Sequence, residues 1–128
     1  MSHRNTNIEN YLYYADSEAL AGSNDDNKIV MFPTSAVLVI APNSKAGTYR
    51  TSYRRQDGSH AADTALCSHR LPNPTVDEWV NGLNILVANM QKDSMKGMVS
   101  IADTANNTSC NQEISSAAGS VTLTTAAL

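Results

Sequence analysis

Through the middle of the chain apolar and polar positions follow the short runs and two-residue alternation of strands, and toward the end that regularity is lost. Residues 28–32 (KIVMF) and 36–41 (AVLVIA) are β-branched runs stopped by Pro33 and by Pro42-Asn43, the signature of buried strands. Residues 43–47 carry turn chemistry. Residues 48–55 (TYRTSYRR) alternate, residues 56–60 turn around Asp57-Gly58, and residues 61–70 return, which reads as a hairpin. Extended elements joined by short connections predict an antiparallel meander. Residues 1–27 read as an N-terminal arm or first hairpin whose bulk lies in Tyr11, Leu12, Tyr13 and Tyr14, closed by a loop at 22–27.

Beyond residue 70 the pattern changes. Leu71-Pro72-Asn73-Pro74-Thr75 is a rigid loop, because two close prolines exclude both helix and ladder bonding. Residues 75–90 admit two readings. Thr75-Val76-Asp77-Glu78 can cap a helix whose stripe is Trp79, Val80, Leu83, Leu86, Val87 and Met90; alternatively 83–88 (LNILVA) is a β-type run after a break at Asn81-Gly82. A helix is expected from Asp93 or Ser94 to Asn106, a shorter helical piece at 111–118, and a terminal strand or docked tail at 121–128.

At 128 residues the chain is the size of one domain. Aromatics make up only 5%, a thin supply for a self-sufficient core, which points to a partner copy completing it. The net charge of -3 gives no nucleic-acid signature for the chain as a whole, but the charges are segregated. Residues 1–27 hold Glu9, Asp16, Glu18, Asp25 and Asp26 against Arg4, whereas residues 45–70 hold Lys45, Arg50, Arg54, Arg55 and Arg70 against Asp57 and Asp63. Such a distribution turns one face toward an anionic partner. No apolar run approaches the length of a membrane span and the opening MSHRNTNIEN has no leader pattern, so a cytosolic chain with reduced Cys67 and Cys110 is expected.

Catalytic chemistry finds little support. His3, His60 and His69 are scattered, and Cys67-Ser68-His69 supplies two ligands where zinc needs three or four. Cys67 and His69 share a strand face, so a Cys/His dyad is conceivable, yet no nucleophile elbow or oxyanion loop accompanies it. No phosphate-loop, dinucleotide, zinc-protease or calcium-loop motif occurs, so neither a metal nor a cofactor is expected. The basic hairpin is the positive signal. Alternation sets Tyr49, Thr51, Tyr53 and Arg55 on one side and Arg50, Ser52 and Arg54 on the other, and either side carries donors suited to phosphate oxygens.

The hairpin resembles the central hairpin of the coat proteins of small single-stranded RNA bacteriophages, of levivirus type. The shared order is a basic, hydroxyl-rich strand at 48–54, Arg55-Gln56-Asp57-Gly58, a partner strand at 61–70, Leu71-Pro72, an extended 83–89 (LNILVAN) and a helical 93–106. The likeness spans roughly residues 28–107. It implies an α+β fold: a five-stranded antiparallel sheet with an N-terminal hairpin and two C-terminal helices that cross onto a partner in an interlocked dimer. In that arrangement 1–27 is the arm or hairpin, 28–89 the sheet and 90–128 the helical region and tail of one coat domain. The resemblance further implies a virion shell subunit, assembled in the host cytoplasm, that binds genomic RNA on the interior sheet face. Matching the Arg-Gln turn places Thr51, Tyr53 and Arg55 at RNA-contacting positions, with Thr64, Leu66, Ser68 and Arg70 on the returning strand; a one-residue slip exchanges the set for the Arg50 side. The competing expectations are a pilin-like or other self-assembling surface subunit and a small enzyme using Cys67 and His69.

Overall fold

The computed structural model describes residues 10–16, 29–43, 47–55, 62–92, 97–117 and 119–124. The turn expected at 56–60, most of the arm at 1–27 and the tail beyond 124 lie outside the described residues. The elements are β1 (Tyr11–Ala15), β2 (Ile29–Pro33), β3 (Val37–Asn43), β4 (Thr48–Arg54), β5 (Ala62–Ser68), α1 (Val76–Met90), β6 (Met98–Asp103), β7 (Thr108–Ser109) and β8 (Val121–Thr124). They build two four-stranded sheets, ordered β2-β1-β6-β7 and β3-β4-β5-β8. Neighbours pair antiparallel except β1 with β6, which run parallel.

This architecture overturns the five-stranded sheet with two C-terminal helices. Three local causes account for the difference. First, residues 83–89 belong to a helix and not to a strand. Thr75 caps α1 with a reciprocal box, its hydroxyl accepting from the Glu78 N–H while Glu78 Oε1 accepts from the Thr75 N–H at 2.8 Å. Gly82, Leu86 and Met90 then fall on one buried stripe, the spacing of a helix face. Second, where a helix is expected at 93–106, residues 98–103 are strand β6 and 104–107 a turn, residues 93–96 lying outside the described residues. Gly97 (φ 72°) turns the chain into β6, and the Tyr11 N–H donates to the Gly97 carbonyl at 2.8 Å, starting the pairing with β1. Third, residues 111–117 are a bend and turn followed by a single bridge from Ile114 to His69, not a helix. Ser109 Oγ engages the carbonyls of Asn111 and Ile114, and Asn111 Oδ1 accepts from the Glu113 N–H; short polar side chains here compete with a helix for its own backbone.

The inner faces of the two sheets meet in a common core. Leu12, Tyr14 and Phe32 come from one sheet, Tyr49, Tyr53, Ala65, Cys67 and Val121 from the other, with Ile101 and Ile114, and α1 adds Leu86 and Met90. Tyr14 and Tyr53 join their hydroxyls at 2.6 Å, and Phe32 stacks on Tyr53 with ring centroids 3.9 Å apart and planes 11° from parallel. The Asn10 side-chain amide donates to the carbonyls of Lys92 and Met90, covering the orphan C-terminal end of α1.

Tyr49 ties the helix to the second sheet. It is fully buried, and its ring meets Trp79 edge to face at 4.7 Å. The hydroxyl end lies where a Cβ on residue 82 would stand, so only glycine allows α1 to approach. The hydroxyl itself is buried without a hydrogen-bond partner. Gly82→Ala is therefore expected to lower stability by about 1–3 kcal/mol from overpacking, despite the roughly 1 kcal/mol that alanine gains in helix propensity. Tyr49→Phe, which removes an unsatisfied group, should leave thermal stability unchanged or raised. Melts of both variants give the check; a more stable Gly82→Ala protein would refute the contact.

Burial also governs the alkaline limit. Desolvation holds the phenols of Tyr14 and Tyr53 well above the ordinary range and pushes Tyr49 up to about 12. The folded chain therefore keeps protons that the unfolded chain releases from about pH 10. The contribution of these phenols is level below that pH and is lost as pH rises above it. The phenolate absorbance of the three buried tyrosines should change together with near-ultraviolet dichroism in one cooperative step; buried phenols ionising while the fold persists would contradict the packing.

Candidate functional site

With Tyr49, Thr51 and Tyr53 turned inward, β4 presents Thr48, Arg50, Ser52 and Arg54 to the outside. The register extends these positions into rows across the sheet. Asn43, Thr48 and Ser68 align; next come Ala41, Arg50, Leu66 and Thr122; then Val39, Ser52, Thr64 and Thr124; and Arg54 stands beside Ala62. Arg50 and Arg54 are exposed and four positions apart on one strand, about 13 Å at the usual rise. No carboxylate occurs in these rows. The face thus offers two guanidinium groups, a field of hydroxyls from Thr48, Ser52, Thr64, Ser68, Thr122 and Thr124, and apolar surface from Val39 and Leu66.

The sequence-derived RNA set divides accordingly. Arg50 and Arg70 are exposed, and Thr64 and Ser68 are partly exposed on the outer face. Thr51 and Tyr53 are completely buried, so the correspondence that assigned them RNA contacts is one residue out of phase with the fold. Arg55 is half-buried and donates from Nε to Asp63 Oδ1 at 3.1 Å. Arg54, Ser52 and Thr48 are the members of the face that the family correspondence omitted. Burial cost was the available signal: a strand that alternates tyrosine with arginine sends the arginine outward, because an unpaired buried cation is far more costly than a buried ring.

Cys67 and His69 project to the inner side with a different chemistry. His69 Nδ1 accepts from the Leu71 N–H at 2.9 Å, so Nε2 is the protonated nitrogen of the neutral ring. Nε2 is buried and lies 3.8 Å from Glu113 Oε2. Both cysteines are free thiols. Burial pushes Cys67 up to about 12 and Cys110 up to about 11, opposite to the shift that activates a nucleophile. Among the described residues no group of three His, Cys, Asp or Glu side chains is placed to hold a metal ion, and no helix is long and apolar enough to cross a membrane.

A groove of about 460 Å³ opens at the β3–β4 end of the second sheet, lined by Pro42, Asn43, Gly47, Pro72, Asn73, Pro74 and Trp79; Asn43 belongs to the outer row, whereas Pro42 and Trp79 stand on the Tyr49 side. Its walls meet because Gly47 takes a positive φ of 69° and stands so close to the Leu71 and Pro72 carbonyls that a side chain would press on them. The Gly47 carbonyl accepts from the His69 N–H at 2.6 Å, joining the two walls.

The outer face of the first sheet is of another kind. Pro33, Tyr11 and Met98 form one row and Met31, Tyr13 and Ser100 the next, and Tyr11, Ile29, Met31 and Met98 are each close to half exposed. Comparison with protein-family models, with curated proteins and with solved structures finds no match.

With raised pKa values, and with Cys67 buried and Cys110 partly so, the thiols should resist alkylation in the folded protein at mildly alkaline pH, Cys67 the more strongly, and react once it is denatured. A mass measurement after iodoacetamide treatment reads this directly; rapid modification of native Cys67 would show that the strand opens.

Proposed function

We propose that this chain is a non-enzymatic shell subunit, a coat protein that associates with copies of itself and binds single-stranded RNA along the outer face of β3-β4-β5-β8. One observation carries the reading: the two outer faces of the sandwich differ in chemistry, arginines and hydroxyls being gathered on one of them. Because the inner faces pack on each other, the outer faces look in opposite directions. One bears Arg50 and Arg54 among hydroxyls, with apolar ground at Val39 and Leu66. The other is an exposed apolar face, of the kind that marks an interaction surface.

A second copy is the occupant that fits the apolar face. It ends at β2, an outermost strand among the described residues with the uncharged sequence IVMFP. An uncharged strand at a sheet edge with large apolar neighbours invites pairing with another chain. The arginine face suits RNA through phosphate contacts, with hydroxyls and partly apolar ground for the sugar and base. The reading rests on these faces and not on the architecture of RNA-phage coat proteins, from which the fold differs.

Two measurements test it together. The protein should sediment as a dimer or larger particle, and Met31→Lys should shift it toward monomer. Single-stranded RNA should bind with an affinity that falls as salt rises, and Arg50→Ala with Arg54→Ala should reduce the slope of log K against log salt by about 0.7 per phosphate contact removed. A monomer without salt-dependent RNA binding overturns the proposal; self-association without RNA binding would favour a surface-fibre subunit instead.

A further inference from the structure

We infer that the Pro/Trp groove at the end of the arginine face receives one unpaired base of the bound strand, with Trp79 as its stacking surface. The inference rests on the RNA reading above and names the subsite that would distinguish a base from a bare phosphate chain.

The groove is continuous with the proposed interface. Asn43 belongs both to the groove and to the outer row Asn43, Thr48 and Ser68. Beyond Ser68 the chain passes through exposed Arg70 and then forms the opposite wall at Pro72, Asn73 and Pro74. A strand whose phosphates run over Arg50 and Arg70 would reach the groove across the Asn43 end of the sheet. At about 460 Å³ its volume falls within the range of roughly 300–1,000 Å³ typical of small-ligand sites.

The lining suits an aromatic, hydrogen-bonding guest. Pro42, Pro72 and Pro74 provide rigid walls without N–H donors. Trp79 is partly buried and fixed from behind by Tyr49 at 4.7 Å and His69 at 6.0 Å between ring centroids. Tyr49 is itself lodged against Gly82, so the indole is positioned before any ligand arrives and little ordering is required on binding. The amides of Asn43 and Asn73 each offer two donors and an acceptor, the groups that read a base edge. Glu78, the nearest acid along α1, is engaged with Thr75 at the helix cap, which keeps its carboxylate occupied.

Trp79 is the only tryptophan in the chain, so wild-type protein reports on the site directly. A short oligouridylate should quench its fluorescence at low salt, whereas an abasic oligomer with the same number of phosphates should bind without quenching. Trp79→Ala should weaken oligouridylate roughly tenfold and leave the abasic oligomer unaffected. Asn73→Ala, in an exposed loop, provides the same comparison without touching the packing around Tyr49. Binding of both oligomers with no base-dependent quenching overturns the base subsite while leaving the RNA face standing. Failure of both oligomers to bind at low salt removes the RNA reading and the subsite with it. Quenching by a neutral oligosaccharide or a proline-rich peptide, and not by oligouridylate, assigns the groove to another ligand and also overturns the inference.

Discussion

The contact among Tyr14, Phe32 and Tyr53 is the interaction on which the two sheets depend. Each sheet is only four strands wide, and the direct connection from β2 to β3 is the single turn Thr34–Ala36. Phe32 stacks on Tyr53, Tyr14 meets both rings edge on, and the two hydroxyls satisfy each other inside the core. Aromatic pairs contribute about 0.5–1.5 kcal/mol each beyond area burial, and the shared hydrogen bond makes the arrangement specific. Losing either hydroxyl leaves the other buried and unpaired, at about 1–3 kcal/mol. A chain with few large side chains has placed three of them at the one point where its layers must stay in register.

That inward commitment fixes the outward one. Side chains alternate along β4, so holding Tyr49 and Tyr53 in the core directs Arg50 and Arg54 to solvent with no further instruction. The same parity turns Asp63, Ala65 and Cys67 inward on β5 and exposes Thr64 and Ser68. The basic face is therefore a consequence of core packing, and a slip of one residue would destroy the core and that face together.

How much of this the sequence reveals depends on how local each cause is. The strands at 29–33, 37–43, 48–54 and 62–68 lie where short β-branched runs and alternation put them, because the period of two and the flanking prolines are written in consecutive residues. The helix at 76–90 was one of two open readings, since LNILVA fits a strand as well as a helix when viewed alone; the Thr75 and Glu78 box and the approach allowed by Gly82 decide it, and the latter requires knowing that Tyr49 lies opposite. β6 was misread because its partner β1 is distant in sequence and parallel, a pairing no local pattern announces. Within the candidate site, Arg50, Thr64, Ser68 and Arg70 stand on or beside the outer face, whereas Thr51 and Tyr53 were assigned by analogy to a family whose fold this chain does not share. The relative cost of burying tyrosine and arginine separates those two sets without any analogy.

The groove shows why the site is more than a charged surface. Arginines and hydroxyls on a flat sheet attract any polyanion and give affinity that salt erodes. Discrimination requires a concave, preorganised feature that a phosphate chain alone cannot fill. Here it arises where three elements of different origin converge: the end of β3, the proline loop and the first turns of α1. Tyr49 links them, since it lies on the inner side of the basic strand, supports Trp79 and sets the helix distance through Gly82. In the proposed reading, whatever enters the groove is thereby coupled to the packing of β4, the strand that carries Arg50 and Arg54.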